Sequence, residues 1–179
     1  AETIADYVQA KGGFLSKSDL AAHHSEWVKP VSVNYRGYDI WELPPNGQGI
    51  TALQMLNILE DYDLAEMGHN SADYLHVLTE TMRRAYADRA EHLGDPDFNE
   101  DMPISRLMDK DYAAKLRSTI SMAEKSNSSP TEFAQAYESE ETTHFSVADK
   151  NGNMVSLTYT LEFGYGSAAV VEGGGYLLN

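Results

Sequence analysis

The run from Glu141 to Ser146 contains a residue type that can perform acyl transfer, the threonine Thr142. A threonine hydroxyl is a weak nucleophile unless a base lies beside it, and the base that needs no second side chain is the threonine's own α-amine. That amine exists only if the chain is cut directly before the threonine. We therefore predict that Thr142 attacks the Glu141 carbonyl, breaks its own peptide bond and becomes an N-terminal nucleophile.

The segments around this threonine predict a β-hairpin that would hold it in place. Residues 144–148 alternate in polarity, residues 149–153 carry a strong turn signal, and residues 154–161 are rich in β-branched and aromatic side chains. Thr142 is then expected at the exposed start of a strand, where a rigid sheet fixes a nucleophile. Strands favour threonine in any case, so the residue pair 142–143 alone is typical of an ordinary strand.

Several ordered segments make the sequence similar to the γ-glutamyltranspeptidase family. The precursor of that family carries a Thr-Thr-His-aromatic-Ser strand, an Asp-x-x-Gly-Asn turn and a Thr-x-Thr strand, and all three occur here between Thr142 and Thr160. The similarity extends over nearly the whole chain, and the further matching segments are Tyr35–Tyr38, Leu43–Pro45 with Gly47 and Gly49, Leu56–Glu60, Ala85–Arg89 and Leu93–Pro96. Several matches in one order are far more specific than any single match.

The resemblance implies a fold and a division of the chain. The fold is part of the four-layer αββα sandwich of N-terminal-nucleophile hydrolases, in which helices cover two antiparallel sheets. Residues 1–141 would be the C-terminal part of a large subunit and residues 142–179 the N-terminal part of a small subunit, joined here as an uncleaved precursor. The residues themselves, with helices early and a hairpin late, predict only the α+β class.

The resemblance also implies roles for two further residues. Thr160 corresponds to the second threonine of the Thr-x-Thr motif, and it is expected to form a hydrogen bond near Thr142 and orient its hydroxyl. Without the resemblance, Thr160 would be an ordinary cross-strand partner. Glu162 lies where the family places asparagine or glutamate, and its carboxylate would attract the ammonium group of a γ-glutamyl donor. A solvated glutamate at the end of a strand is the alternative.

The activity that the resemblance implies is transfer and hydrolysis of γ-glutamyl groups of glutathione and related amides, after cleavage between Glu141 and Thr142. The expected partners are small γ-glutamyl donors, with water or amino acids as acceptors, and no cofactor is expected. Two enzyme alternatives stay open in the same fold, a cephalosporin or glutaryl acylase and a γ-polyglutamate depolymerase. The alternative outside catalysis is an acidic interaction domain whose threonine-rich hairpin is structural.

The ends of the sequence suggest an excerpt from a longer polypeptide, because it begins at Ala1 and stops within an apolar run. The resemblance places the oxyanion-hole glycines and other pocket residues outside these limits, so Gly173–Gly175 are predicted to form a turn between strands. We expect the chain alone to have little or no γ-glutamyl transfer activity, because its amine is blocked. Uncovered apolar edges are expected to favour homo-oligomers or domain swapping.

Composition excludes several classes of function. A formal charge of −15 argues against nucleic-acid binding, which needs clustered basic residues. No apolar stretch reaches the roughly 18 residues of a membrane span, and the chain contains no cysteine for disulfides or thiolate metal sites. A periplasmic or secreted location is implied by the resemblance only.

No metal site is predicted either. Oxygen-bearing side chains alternate from Asp95 to Asp101, but Pro96 and the lack of a glycine at the sixth loop position break the EF-hand pattern. The histidines do not form the helical pair with an intervening glutamate that zinc proteases use.

Local patterns predict the remaining elements. A short helix is expected with Thr3 as its N-cap and with Gly12 and Gly13 as its end, and another from Ser16 to His23, the second with a capping box formed by Ser16 and Asp19. A hairpin is expected over residues 31–41, and a helix from Ile50 to Glu60. The longest helix, from Ser71 to Leu93, is expected to bury an apolar stripe of Leu75, Leu78, Met82, Tyr86 and Leu93.

Overall fold

The structure is a computed structural model that describes residues 1–45, 47–127, 142–161 and 164–179. The chain divides into two compact units, one formed by Ala1–Ser25 with Pro130–Asn179 and the other by Glu26–Ser129. Along the described chain the elements are α1 (Glu2–Ala10), α2 (Lys17–Ala22), β1 (Val31–Tyr35), β2 (Tyr38–Glu42), α3 (Gly49–Leu59), α4 (Leu64–Met67), α5 (Ala72–His92), α6 (Ile104–Leu107), α7 (Lys110–Ser118), β3 (Thr142–Ala148) and β4 (Met154–Thr160). Helices therefore precede the second hairpin, in agreement with the predicted α+β class.

The two short N-terminal helices begin in different ways. The Ser16 hydroxyl accepts a hydrogen bond from the Asp19 amide at 3.2 Å, and the Asp19 carboxylate accepts one from the Ser16 amide at 2.8 Å, so the predicted capping box is confirmed. The prediction of Thr3 as the cap of α1 is wrong. That helix already begins at Glu2 after Ala1, without a side-chain cap, and the acidic Glu2 favours this early start because it faces the positive end of the helix dipole.

The first hairpin is closed by a two-residue turn. Arg36 and Gly37 have φ angles of 52° and 91°, and Tyr35 pairs with Tyr38 across the turn. Two successive positive φ angles fit the right-handed twist of a hairpin, and glycine at the second position adopts such an angle without strain. The Asn34 side chain accepts a hydrogen bond from the Gly37 amide at 3.1 Å and so fixes the turn.

The core of the second unit forms around α3, which packs against α5, α7 and β1. Ile50, Leu53 and Ile58 of α3 are fully buried, and Val77 of α5 and Leu107 of α6 complete the apolar cluster. A side chain of this size contributes about 1.5–3 kcal/mol when it is removed from water. This cluster is therefore the main source of stability of the unit.

Basic side chains donate hydrogen bonds to the backbone carbonyls at the C-terminal end of α3. The Arg36 guanidinium donates to the Glu60 carbonyl at 3.1 and 3.2 Å, and Arg117 donates to the Asn57 and Ile58 carbonyls at 3.2 Å each. Lys110 forms an ion pair with the Glu60 carboxylate at 2.6 Å, and this hydrogen bond lowers the pKa of Glu60. Cations at a helix C-terminus complement its dipole, so these contacts tie α3 to the hairpin and to α7.

The buried face of α5 differs from the predicted stripe. Val77, Thr81 and Ala85 are fully buried together with Glu80, whereas Leu75 and Met82 remain 46% and 38% exposed. The buried apolar positions of α5, which contacts α3, are small or β-branched, and side chains of this kind fit between closely packed helices. Leu75 and Met82 of the predicted apolar stripe therefore lie outside the buried face.

A carboxylate is buried on the same helix. Glu80 is 2% exposed, and it accepts hydrogen bonds from the Arg84 guanidinium at 2.8 Å, from the Ser126 amide at 3.1 Å and from the Ser126 hydroxyl. Burial alone would raise the pKa of Glu80, but these hydrogen bonds outweigh it and lower the pKa to about 2. Arg84 also donates to the Thr119 carbonyl at 2.7 Å. Glu80 and Arg84 thus attach the chain after α7 to α5.

Candidate functional site

The second hairpin contains the residues with predicted chemistry, and its turn determines how they pair. The Asp149 carboxylate accepts hydrogen bonds from the Asn151 amide at 2.8 Å and from the amide and side chain of Asn153 at 2.9 and 2.8 Å. The bond from the Asn153 side chain is the largest cause of the lowered pKa of Asp149. Gly152 has a φ of 84°, in the region that glycine favours. This closed loop sets the register of β3 and β4.

That register pairs Thr142 with Thr160 as the last pair of the ladder. The structure thus brings together two of the predicted site residues, which are separated by the whole hairpin in sequence. Thr142 is the first residue of β3, as expected for a residue that would become an amino terminus. The other two predicted site residues, Glu141 and Glu162, lie outside the described residues.

The two faces of the hairpin have opposite character. Because side chains alternate along a strand, one face carries an apolar set whose members are 42–61% exposed, namely Phe145, Val147, Val155, Leu157 and Tyr159. The other face carries positions 142, 144, 146 and 148 of β3 opposite positions 160, 158, 156 and 154 of β4. The three pairs away from the turn are threonine, serine or histidine, and the pair next to the turn is Ala148 and Met154. The register therefore places position 142 at the polar end of this face.

A hydrogen-bonded network occupies this polar face. The Nδ1 atom of His144 lies 2.6 Å from the Thr158 hydroxyl, and its Nε2 atom lies 3.0 Å from the Ser156 hydroxyl. The Ser146 and Ser156 hydroxyls are 3.1 Å apart. Both ring nitrogens of His144 thus have partners on β4, directly beside the pair of Thr142 and Thr160.

The predicted site does not include His144, Thr158 and Ser156, which hydrogen bonds join on this face. A signal for them is present in the sequence, because hydroxyl or imidazole side chains recur at every second residue over positions 142–146 and 156–160.

The glycine run after the hairpin forms a turn, as predicted. Gly173 and Gly175 have φ angles of 77° and 74°, and the Gly174 amide donates to the Val171 carbonyl at 2.9 Å. The Val171 amide donates to the Tyr176 carbonyl at 3.3 Å, and the Val171 side chain is fully buried. The Gly174 amide is therefore engaged within the turn and does not point to an oxyanion.

A cavity of about 270 Å³ lies in the other unit, between the loop at Gly47 and Gln48 and the end of α5 at Arg89 and Leu93. Its lining contains none of the residues that the sequence predicts for the site. Asp95 also borders this cavity, and its carboxylate accepts a hydrogen bond from the Asp97 amide at 3.0 Å. The acidic segment therefore forms a local turn.

Within residues 1–45, 47–127, 142–161 and 164–179, no group of three or more histidine or acidic side chains is placed to hold a metal ion. Over the same ranges, no helix has both the length and the apolar character needed to cross a membrane.

Comparison with known proteins adds to this geometry. The sequence profile of the family described as Gamma-glutamyltranspeptidase matches residues 1–179. The chain is 43% identical over 183 residues to a glutathione hydrolase proenzyme of Escherichia coli K12, and the match covers 100% of the chain and 31% of that protein. The chain thus spans about a third of the length of such curated relatives.

Two solved structures share the fold. The γ-glutamyltranspeptidase of Helicobacter pylori has a TM-score of 0.67 and 36% identity, over 79% of this chain and 41% of that one. The cephalosporin acylase of Bacillus halodurans has a TM-score of 0.77 and 33% identity, over 99% of this chain and 31% of that one. Both likenesses support the fold of N-terminal-nucleophile hydrolases that the sequence predicts.

Proposed function

The chain belongs to the γ-glutamyltranspeptidase family, and on this premise we propose that it carries the cleavage junction and the nucleophile of a proenzyme acting on γ-glutamyl compounds. The observation that carries the proposal is the register of the second hairpin, which pairs Thr142 with Thr160 at the start of β3. A threonine at the first position of a strand can become an amino terminus while the hairpin keeps it in place.

The chain would contribute to both subunits of the processed enzyme. Residues 1–141 would form the C-terminal part of the large subunit, and residues 142–179 the N-terminal part of the small subunit. The remainder of the polypeptide would supply the other pocket residues. The match to about a third of a proenzyme supports this assignment. By itself the chain keeps Glu141 joined to Thr142, so its α-amine is not available as a base.

Processing would begin with the Thr142 hydroxyl. Its oxygen adds to the Glu141 carbonyl carbon, the carbon–nitrogen bond breaks, and the nitrogen takes up a proton to become an amine. The resulting ester is hydrolysed by water, which leaves a carboxylate on Glu141 and a free amine and hydroxyl on Thr142. Thr160 would orient that hydroxyl in both forms of the protein.

Turnover would then use the new amine as a base. The amine accepts the hydroxyl proton while the oxygen attacks the γ-carbonyl of the donor, and the departing amine takes that proton as its bond to carbon breaks. Water or an amino acid resolves the γ-glutamyl ester, so hydrolysis and transfer share one intermediate. We assign Glu162 to the ammonium group of the donor.

Mutation of the nucleophile tests this proposal. In a full-length proenzyme that carries this sequence, Thr142→Ala is expected to abolish cleavage, whereas Thr142→Ser, which retains a hydroxyl, still cleaves. Intact mass after incubation at neutral pH would locate the junction between Glu141 and Thr142. Cleavage of the alanine variant would contradict the proposal and favour the acidic interaction domain as the role of this chain.

An acylase is a second candidate, and the likeness to a cephalosporin acylase over nearly the whole chain favours it. Glutathione, a γ-glutamyl anilide and a glutaryl-cephalosporin would be compared by kcat/KM with the processed protein. Preference for the glutaryl amide would change the proposed substrate class but not the proposed nucleophile.

We further propose a periplasmic or secreted location, which rests on the family. Fractionation of the producing cells would test it.

A further inference from the structure

His144 has a defined place beside the proposed nucleophile on the second hairpin. It lies opposite Thr158 in the register, and this pair is the same-face neighbour of the pair formed by Thr142 and Thr160. Its Nδ1 atom is 2.6 Å from the Thr158 hydroxyl across the two strands. Its Nε2 atom is 3.0 Å from the Ser156 hydroxyl. The ring is thus held at both nitrogens.

A ring held in this way restricts its hydroxyl partners. A threonine side chain has staggered χ1 wells that exchange the positions of hydroxyl and methyl. The short contact with Nδ1 selects the well in which the Thr158 hydroxyl faces β3. The Thr158 methyl is then fixed as well. Positions 158 and 160 lie on the same face of β4, two residues apart, so the conformation of Thr158 bears on the neighbourhood of the reacting pair.

We propose that His144 is a positioning residue for Thr142, acting through Thr158 on the side where Thr142 and Thr160 pair. The inference rests on the proposed function, because it concerns the reactivity of the same hydroxyl. His144 makes no bond to substrate in this role and gives up no proton in either step. It fixes the neighbourhood of the nucleophile in the precursor and in the processed enzyme.

The two ring nitrogens allow a sharp test, since amide side chains can replace them one at a time. The amide of asparagine lies where Nδ1 of histidine lies, and that of glutamine reaches the position of Nε2. In the full-length proenzyme, His144→Asn keeps a partner for Thr158 and His144→Gln keeps one for Ser156. A third variant, Thr158→Val, removes the hydroxyl and preserves the shape.

If the inference is correct, the two amides behave differently. The rate of self-cleavage and the kcat for a γ-glutamyl anilide fall about 10- to 100-fold in His144→Gln and in Thr158→Val, the size expected for a misplaced reacting group. His144→Asn stays within about threefold of the wild type. KM changes by less than about threefold in all three variants. Lys150→Ala, an exposed change in the turn, serves as the control.

Two results would overturn the inference. Equal losses in His144→Asn and His144→Gln would mean that the ring acts only by its volume, and an increase in KM with unchanged kcat would mean that it acts on substrate binding. If His144→Gln does not fold, Thr158→Val alone decides, and wild-type rates in that variant contradict the role. Thr142→Ala is measured in parallel, because its cleavage would refute the proposed nucleophile whatever the His144 variants show.

Discussion

At the scale of single residues, the buried carboxylate of Glu80 shows how a charge is tolerated in the core of the second unit. Its oxygens are saturated by the Ser126 amide and hydroxyl and by the Arg84 guanidinium. A buried ion pair of this kind adds little against an apolar replacement, but removing one partner leaves the other charge uncompensated. Glu80 is therefore sensitive to both mutation and acid.

We predict that Glu80→Gln lowers the free energy of unfolding of the chain by about 3 kcal/mol, because Arg84 loses its buried counter-charge. Urea unfolding at neutral pH measures the loss. Glu91→Gln on the same helix is the matched control, since the Glu91 side chain is 75% exposed, and it should change stability by less than about 0.5 kcal/mol. An equal effect of both variants would contradict this account.

The contribution of Glu80 to the free energy of unfolding depends on pH. The pKa of Glu80 is about 2 in the folded chain against an ordinary value of 4.5, so this contribution is complete above pH 4.5. It is lost as the pH falls from 4.5 through about 2, where the folded state also takes up the proton. The stability difference between the wild type and Glu80→Gln should therefore shrink over that interval.

At the scale of elements, the first hairpin depends on the backbone of its turn. Gly37 has a φ of 91°, and a Cβ added there would meet no atom within 4 Å. The cost of a side chain at this position is thus conformational and not steric. The same turn contains Arg36, whose guanidinium binds the Glu60 carbonyl at the end of α3. A change in the turn is therefore expected to affect α3 as well.

Gly37→Ala is predicted to destabilise the chain by about 1–2 kcal/mol, the cost of placing an L-residue in the left-handed region. The matched control is Gly94→Ala, where no positive φ occurs and the nearest atom to an added Cβ is the Asn99 amide nitrogen at 3.7 Å. That control should stay within about 0.5 kcal/mol of the wild type in thermal or urea unfolding. Equal destabilisation would point to packing instead of backbone conformation.

The elements also show what a sequence can predict. The capping box of Ser16 and Asp19 and both hairpins follow from neighbouring residues, so local patterns were sufficient. The buried face of α5 was predicted wrongly, because it depends on α3 and on Glu80, whose partner Ser126 lies 46 residues further on. The pairing of Thr142 with Thr160 follows from the position of the turn. The contacts of His144 with Thr158 and Ser156 can be recognised only from the interatomic distances in the structure.

At the scale of the whole molecule, the second hairpin leaves apolar surface uncovered. Its five apolar side chains on one face are 42–61% exposed, and among the described residues its strands pair only with each other. Exposed apolar patches and free strand edges favour association with another chain. In a full-length proenzyme the remainder of the polypeptide would cover them.

The 179-residue chain is therefore predicted to self-associate, and light scattering over a range of concentrations measures this. Replacing Val147 and Val155 together by threonine keeps the β-branched shape and makes the face more polar, which should shift the chain toward the monomer. Lys150→Ala is the control and should leave association unchanged. A monomeric wild type at high concentration would contradict the prediction.

The Asp149 loop has a consequence for insertions and deletions. Exposed loops ordinarily accept changes in length, but this one fixes which residue of β4 faces Thr142. One extra residue would exchange the two faces of a strand and bring Tyr159 or Leu161 opposite the nucleophile in place of Thr160. In an insertion library of the proenzyme, the five positions from Asp149 to Asn153 should therefore be as intolerant of a change in length as a buried core, although they lie at the surface.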